Sequence, residues 1–495
     1  MPTSPSEYAA DQPQADQVWD VAVVGAGPAG VAAAGGAVRR EGRVVVLDAE
    51  QRPGGQYWRQ GPDGVGRHHH DRRVWQDEMS LLRDYVETGL VDHRQSHRVW
   101  RVEPPRDGAP GVVHAVRSLP GGPDVAVTVR ARSIVLASGA HDRVLPFPGW
   151  DLPGVVTAGA AQALLKEHGV VVGSRVVVSG TGPFLLPVAT GLAAEGARVV
   201  ALCEASDGRG WLGRPRALLG MPSKLLEGAG FAAALARHRV RPRLRTAVVA
   251  AHGTERVESV DVARLASDWS VVPGSVRRVE CDALAVGWGF LPRLDLAVAA
   301  GCATTPGPGG VPVLVVDDTF ATSVPGIWAA GEMTGVGGAL LAVEEGQAAG
   351  MHAAAAATGE GRLVTAPASK RLRRLRAFAA AMHAAHPVRD GWQTWLTDDT
   401  LVCRCEEVPV AALTGAVDDL GATDARTAKL LSRCGMGWCQ GRMCGEAVSR
   451  IVSARTGCDA ASSAARLCTD LAGTANRPVA APVTLGLLAA EPPSP

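Results

Sequence analysis

VWDVAVVGAGPAGVAAAGGAVRR, residues 18–40, is the stretch whose reading decides the fold. Val18 to Val24 reads as a buried parallel strand. Gly25 to Gly30 turns, and Val31 to Arg40 is an Ala-rich helix. Arg43 to Asp48 (RVVVLD) is a second strand, so the four pieces make the first half of a βαβ unit. Gly25 permits the tight turn, Gly27 lets backbone approach a pyrophosphate, and Gly30 lets helix and strand pack. With Pro28 and Ala29 these residues place phosphates at a helix N-terminus, where free N–H groups and the dipole favour negative charge. Asp48 ends the second strand, where a carboxylate accepts from ribose hydroxyls.

The pattern then repeats. Arg175 to Ser179 is a strand, Gly180-Thr181-Gly182-Pro183 turns, and Leu185 to Glu195 is helical. Arg198 to Cys203 runs into Glu204, an acid placed for a ribose diol and unfavourable to a 2′-phosphate. NAD is therefore preferred to NADP if this unit binds a nucleotide. Leu185 stands where the third glycine belongs, and a working site and an inherited, empty fold are equal readings.

Smaller features cluster around the first unit. Gly55 and Gln56, in PGGQY (53–57), let backbone lie against a flat cofactor. Gly139 follows the strand Ser133 to Ser138, and Gly331 with Glu332 follows Gly326 to Ala330. Glu332 is placed to hydrogen-bond sugar hydroxyls. Taken together, these read as one flavin site. Asp282 to Val286 (DALAV) and Gly326 to Ala330 (GIWAA) are expected to complete the first sheet, which makes the second unit an insertion.

Near the C-terminus, Cys403-Arg404-Cys405 is followed by Cys434, Cys439 and Cys444. Soft thiolates in sets of four select zinc or iron–sulfur. Cys403 and Cys405 supply one pair, and Cys434, Cys439 and Cys444 are three candidates for the other. No CxxC pair occurs anywhere, which favours [2Fe-2S] over structural zinc on a flavin chain. Cys203, Cys281, Cys302, Cys458 and Cys468 read as buried small hydrophobes. No CxxC or CxxxxC pair lies in the flavin region, so a disulfide relay of the thioredoxin- or glutathione-reductase kind is excluded.

Composition bounds the rest. At 495 residues the chain holds about two to four domains. Charged residues are 20%, apolar residues 46% and net charge +1, so no basic field invites nucleic acid. No run is long and apolar enough for a membrane helix, and the polar start lacks a signal peptide's features, which places the protein in the cytoplasm. Heavy use of Ala and Gly reads as nucleotide bias with little functional meaning.

The chain resembles the FAD-containing alpha subunits of heteromeric amine and imino-acid dehydrogenases. That family includes the corresponding subunits of opine oxidase and hydrogen cyanide synthase, together with the hydroxyproline and proline dehydrogenase alpha subunits. The matching stretches are VVGAGPAG (23–30), PGGQYWR (53–59), ASGAHDRVLPFPGW (137–150), SGTGPFLLP (179–187), GIWAAGEMTGVGGALLAVEEG (326–346) and CRCEEV…GMGWCQGRMCG (403–445). The resemblance implies an α/β flavoprotein with two dinucleotide-binding domains, glutathione-reductase-like, and a small helical bacterioferritin-associated-ferredoxin-like module. It implies FAD at Gly25, Gly27, Gly30, Asp48, Gly139, Gly331 and Glu332. It also implies a [2Fe-2S] cluster on Cys403, Cys405, Cys439 and Cys444, with Cys434 a neighbour. The expected partners are a second FAD subunit, D-amino-acid-oxidase-like, and a small ferredoxin-like subunit, in a hetero-oligomer where the amine is oxidised in the partner. The second pocket holds NAD, another adenine nucleotide or nothing.

The expected organisation is a polar tail (1–18), a discontinuous FAD domain (19–155 and 278–360) and an inserted nucleotide-type domain (156–277). A linker (361–400), the cluster domain (401–475) and a C-terminal arm (476–495) follow. Two rival readings are a stand-alone NAD(P)H-dependent ferredoxin-type reductase and a scaffold whose bound nucleotides are structural.

Overall fold

The computed structural model describes residues 17–61, 71–118, 121–359 and 369–490. Most of the polar tail, the His68-His69-His70 run, residues 361–368 of the expected linker and the last five residues of the arm lie outside the described residues.

The first strand, Val18–Val24, lies between Val44–Leu47 and Val125–Leu136 and runs parallel to both. Val91–Arg94 extends the sheet beyond Val44–Leu47. Val125–Leu136 is long enough to serve two sets of neighbours. Its first part pairs with the antiparallel ribbon Gly111–Arg117 and His97–Glu103, and its last part pairs with Ile327–Ala329. Val21, Ala22 and Val23 are fully buried because both faces of the sheet are covered.

The helix after the glycine turn, Pro28–Val38, packs against Ala339–Thr358 with their backbones nearly touching. A Cβ on Gly346 would stand 2.0 Å from the Ala29 carbonyl oxygen, and one on Gly350 would stand 1.9 Å from that of Ala33. The Ala and Gly that read as compositional bias are therefore, in these two helices, the residues that set the packing distance.

A second sheet is wholly parallel, in the order Pro242–Leu244, Arg198–Glu204, Arg175–Gly180, Ala283–Gly287, Val155–Thr157. This corrects one expectation. Only Gly326–Ala330 supplies a strand to the first sheet, whereas the DALAV strand joins the second, beyond the boundary expected at 277. An apolar run buried on both faces carries no information about which sheet will take it. A three-stranded antiparallel layer (Thr246–His252, Ser259–Arg264, Arg277–Glu280) stands beside the second sheet.

The basic stretch 370–376 opens the helix Lys370–Ala385, capped by the Ser369 side chain. Leu372 and Leu375 are buried, while Arg371 pairs with Glu344 and Arg376 with Glu345. The charges thus dock this helix on Ala339–Thr358. Beyond it, a short ribbon (Leu401–Cys403 with Val408–Pro409) leads into the helices Val410–Asp418, Ala425–Ser432, Gly445–Arg455 and Ala460–Ala475. The start of the terminal arm lies on this chain's own body, where the Ala480 N–H donates to the Trp100 carbonyl at 2.8 Å. Among the described residues no helix is long and apolar enough to cross a membrane.

Candidate functional site

The first glycine turn gathers residues from four segments. A Cβ on Gly25 (φ +100°) would stand 2.6 Å from the Ala137 carbonyl oxygen, and one on Gly30 would stand 1.7 Å from that of Gly25. A Cβ on Gly55 would come within 2.9 Å of the Gly27 Cα, and one on Gly331 within 2.8 Å of the Ala29 Cβ. Gly25, Gly27, Ala29, Gly30, Gly55 and Gly331 are therefore brought together. Pro28 occupies the first helical turn, and no side chain caps the helix, so its leading N–H groups keep their capacity for an anion.

Asp48 is buried at the end of the second strand. Its Oδ1 accepts a long 3.4 Å bond from Glu50 N–H, and its buried Oδ2 has no hydrogen-bond partner among the described residues. Burial pushes the carboxyl up to about 6, partly offset by backbone N–H groups, Glu50 first. A buried oxygen without a donor is what a ribose hydroxyl would satisfy, so the residues fit FAD. Gly139 (φ +73°) accepts from Arg293 N–H at 2.9 Å.

Two expected residues are placed differently. Gln56 is exposed and its amide oxygen accepts from Arg59. The Glu332 carboxylate accepts from the N–H groups of Gly337 (3.2 Å) and Gly338 (2.8 Å), while burial pushes it up to about 7. It braces its own loop.

Sequence reasoning missed Glu345, which accepts from Gly331 N–H and the Thr334 hydroxyl and pairs with Arg376. An acid that stays buried within an Ala-rich helix was the available signal. Lys166 was missed as well. Its ammonium donates to the Tyr57 carbonyl at 3.3 Å and lies over the Tyr57 ring, and burial pushes it down to about 8.

The second glycine turn is filled by its own chain. Glu204 Oε2 accepts from Gly182 N–H at 2.9 Å, and Oε1 accepts from the Thr181 hydroxyl at 2.8 Å and Ser206 N–H at 2.9 Å. His386 Nδ1 lies 3.5 Å from Glu204 Oε1, and the Trp211 indole N–H donates to His386 Nε2 at 3.1 Å. Gly180 packs against Gly287 across the second sheet. Gly180, Gly182 and Glu204 are thus brought together, with the carboxylate turned onto the glycine loop.

The cysteines divide into a buried triplet and an outer pair. The sulfurs of Cys403, Cys434 and Cys444 all lie within 4.8 Å of one another. Cys405 is exposed and Cys439 half-buried, and both stand outside the triplet. Gly435 N–H donates to Cys403 Sγ at 3.5 Å. Hydrogen bonds from Cys434 and then Cys444 pull the Cys403 thiol down, and the same bonds push its two neighbours up. Cys444 also sits at the N-terminus of Gly445–Arg455, where the helix favours a thiolate. Of the expected ligands, Cys403 and Cys444 lie in the triplet while Cys405 and Cys439 stand outside it, and the three buried soft donors are compatible with an iron–sulfur centre. Cys434, expected only as a neighbour, belongs to the triplet. Of the singletons, Cys203, Cys281, Cys302 and Cys468 are buried as expected, while Cys458 is half-buried.

The cysteine loop rests on the segment that leaves the flavin turn. His141, two residues past Gly139, meets the Arg442 carbonyl through Nε2 at 3.3 Å. Arg442 lies between Cys439 and Cys444 and pairs with Asp295 at 3.0 Å. Arg143 donates to the buried Glu446 at 2.8 Å. Arg442 also donates to the Ala480 carbonyl, and Arg477 to that of Gln440, so the terminal arm straps the loop down. Burial, reinforced by Arg293, pushes His141 down to about 4, leaving it neutral at physiological pH.

Comparisons with known proteins place the two nucleotide-type units in a known family. Residues 19–361 match the pyridine nucleotide-disulphide oxidoreductase family. An opine oxidase subunit of Agrobacterium tumefaciens is 32% identical over 88% of this chain and 86% of its own. Hydrogen cyanide synthase subunit HcnB of Pseudomonas protegens is 32% identical over 85% of this chain and 89% of its own. Among solved structures, L-proline dehydrogenase from P. horikoshii superposes with a TM-score of 0.63 at 20% identity. It covers 95% of this chain and 79% of its own, which shows a shared fold.

Proposed function

This chain belongs to the pyridine nucleotide-disulphide oxidoreductase family as a flavin-dependent oxidoreductase, and we propose on that premise that it is the electron-transferring subunit of a heteromeric amino- or imino-acid dehydrogenase. Two of its relatives are named as subunits, which supports a heteromer. In this reading the first glycine turn holds FAD through Gly25, Gly27, Pro28, Ala29, Gly30, Gly55, Gly139 and Gly331, with Asp48 accepting from ribose. The cysteine module holds a [2Fe-2S] cluster, and the second unit is an insertion between parts of the flavin unit. When bound, the flavin supplies two-electron chemistry and the cluster one-electron passage.

This chain's own residues position and insulate. The uncapped helix N-terminus balances phosphate charge, and Gly331 lets a strand end approach the turn. His141 and Arg442 fix the cysteine loop against the exit of the flavin turn, and that contact is the observation that carries the relay reading. Substrate oxidation is assigned to a partner of the D-amino-acid-oxidase type, with a small ferredoxin-like subunit completing the complex, in the cytoplasm.

Anaerobic purification tests the reading. The expected product is a yellow-brown protein with stoichiometric FAD, iron and acid-labile sulfide that is reduced by amine only when the partner is added. Stoichiometric zinc without iron would sink the cluster. The stand-alone reductase is disfavoured because Glu204 already occupies the second turn. Rapid flavin bleaching by NADH alone would reinstate it.

A further inference from the structure

The buried side of the cysteine centre holds one thiol more than it needs. Four ligands suffice for a two-iron cluster, yet five cysteines line this loop. The outer pair, Cys405 and Cys439, leaves two positions to be filled from Cys403, Cys434 and Cys444, whose sulfurs all lie within 4.8 Å of one another. The Cys434 sulfur lies within 4.8 Å of both of the others, so it stands where a ligand can be handed over. The backbone permits that exchange. Gly435 and Gly441 flank the triplet at φ +86° and +80°, and a cavity of about 20 Å³ lined by Cys434, Gly435, Gly441 and Cys444 gives a sulfur room to move.

We propose that Cys434 is a reserve ligand, able to take the place of Cys444 on the buried side of the centre. This rests on the iron–sulfur reading above and deepens it. The exchange is redox-neutral. One iron–sulfur bond to Cys444 breaks and one to Cys434 forms, Cys434 releases its thiol proton to solvent, and the departing Cys444 thiolate takes one up. The consequence is a centre that recaptures its iron after losing one ligand.

The test compares full-length protein purified anaerobically in four forms: wild type, Cys434→Ser, Cys444→Ala and the double variant. The readouts are iron and sulfide per chain, and the electron paramagnetic resonance of the dithionite-reduced protein. Cys444→Ala is expected to keep most of its iron and a signal typical of all-cysteine ligation, while the double variant loses iron at least tenfold. Equal loss in Cys444→Ala and the double variant overturns the proposal.

A second measurement does not depend on the folding of Cys444→Ala. Under a ferrous chelator, Cys434→Ser is expected to release its iron several-fold faster than wild type, and equal rates overturn the proposal. Wild-type protein holding zinc, or neither iron nor sulfide, fails the cluster reading itself. A wild type full of iron with failed variant differences fails only the reserve ligand.

Discussion

The two glycine turns of this chain share a plan and differ in what their acid does. Both follow a parallel strand, open a helix and have a carboxylate at the end of the next strand. In the first, Asp48 keeps one buried oxygen without a donor and the helix start is uncapped. In the second, Glu204 bends back to take Gly182, Thr181 and Ser206, with His386 and Trp211 closing over it. One methylene of extra length lets the glutamate reach its own loop. A dinucleotide fold is therefore not yet a dinucleotide site, because the same acid can hold the ligand or replace it.

The contrast can be broken in order of expected effect. Gly30→Ala places a Cβ 1.7 Å from the Gly25 carbonyl oxygen. It should cost about 3 kcal/mol and abolish FAD retention, measured by thermal unfolding and flavin absorbance. Asp48→Ala removes the ribose acceptor, and FAD affinity should fall about 10- to 100-fold by fluorescence titration.

The same carboxyl gives a pH signature. Its folded value, about 6, lies above the ordinary 3.8, so in the flavin-free protein ionisation costs stability as pH rises through that window. A hydroxyl donor favours the ionised form, so wild-type FAD affinity should strengthen as pH rises through about 6, and Asp48→Ala should flatten that slope. Glu204→Ala should do the reverse of Asp48→Ala. It should leave FAD content unchanged and lower stability by about 1–3 kcal/mol through stranded N–H groups. A drop in FAD content there would merge the two turns into one function. Trp211→Phe should have the smallest effect, about 1 kcal/mol, because it removes the hydrogen bond to His386 while keeping a ring beside Phe378.

The first turn was legible because strand, glycines, helix and acid are local. Spacing alone also picked out the cysteine loop. What the sequence could not carry was partnership across distance. Five apolar residues in DALAV specify a strand but not its sheet. Glu204 turns onto Thr181 and Gly182, more than twenty residues earlier, and spacing does not fix that contact. Spacing left Cys434, Cys439 and Cys444 as equals, and only the fold separates a buried triplet from an outer pair. The Ala and Gly of two helices read as bias, yet Gly36, Gly346 and Gly350 each face a carbonyl of the other helix.

The strap at Arg477 and Ala480 is synthesised after the loop it pins. As the chain emerges, Cys439 and Cys444 leave the ribosome while Gln440 and Arg442 still lack the residues that will hold them down. The loop is therefore unpinned by the arm until the end of the module has emerged, and the strap is a late contact. Order of synthesis thus becomes order of assembly.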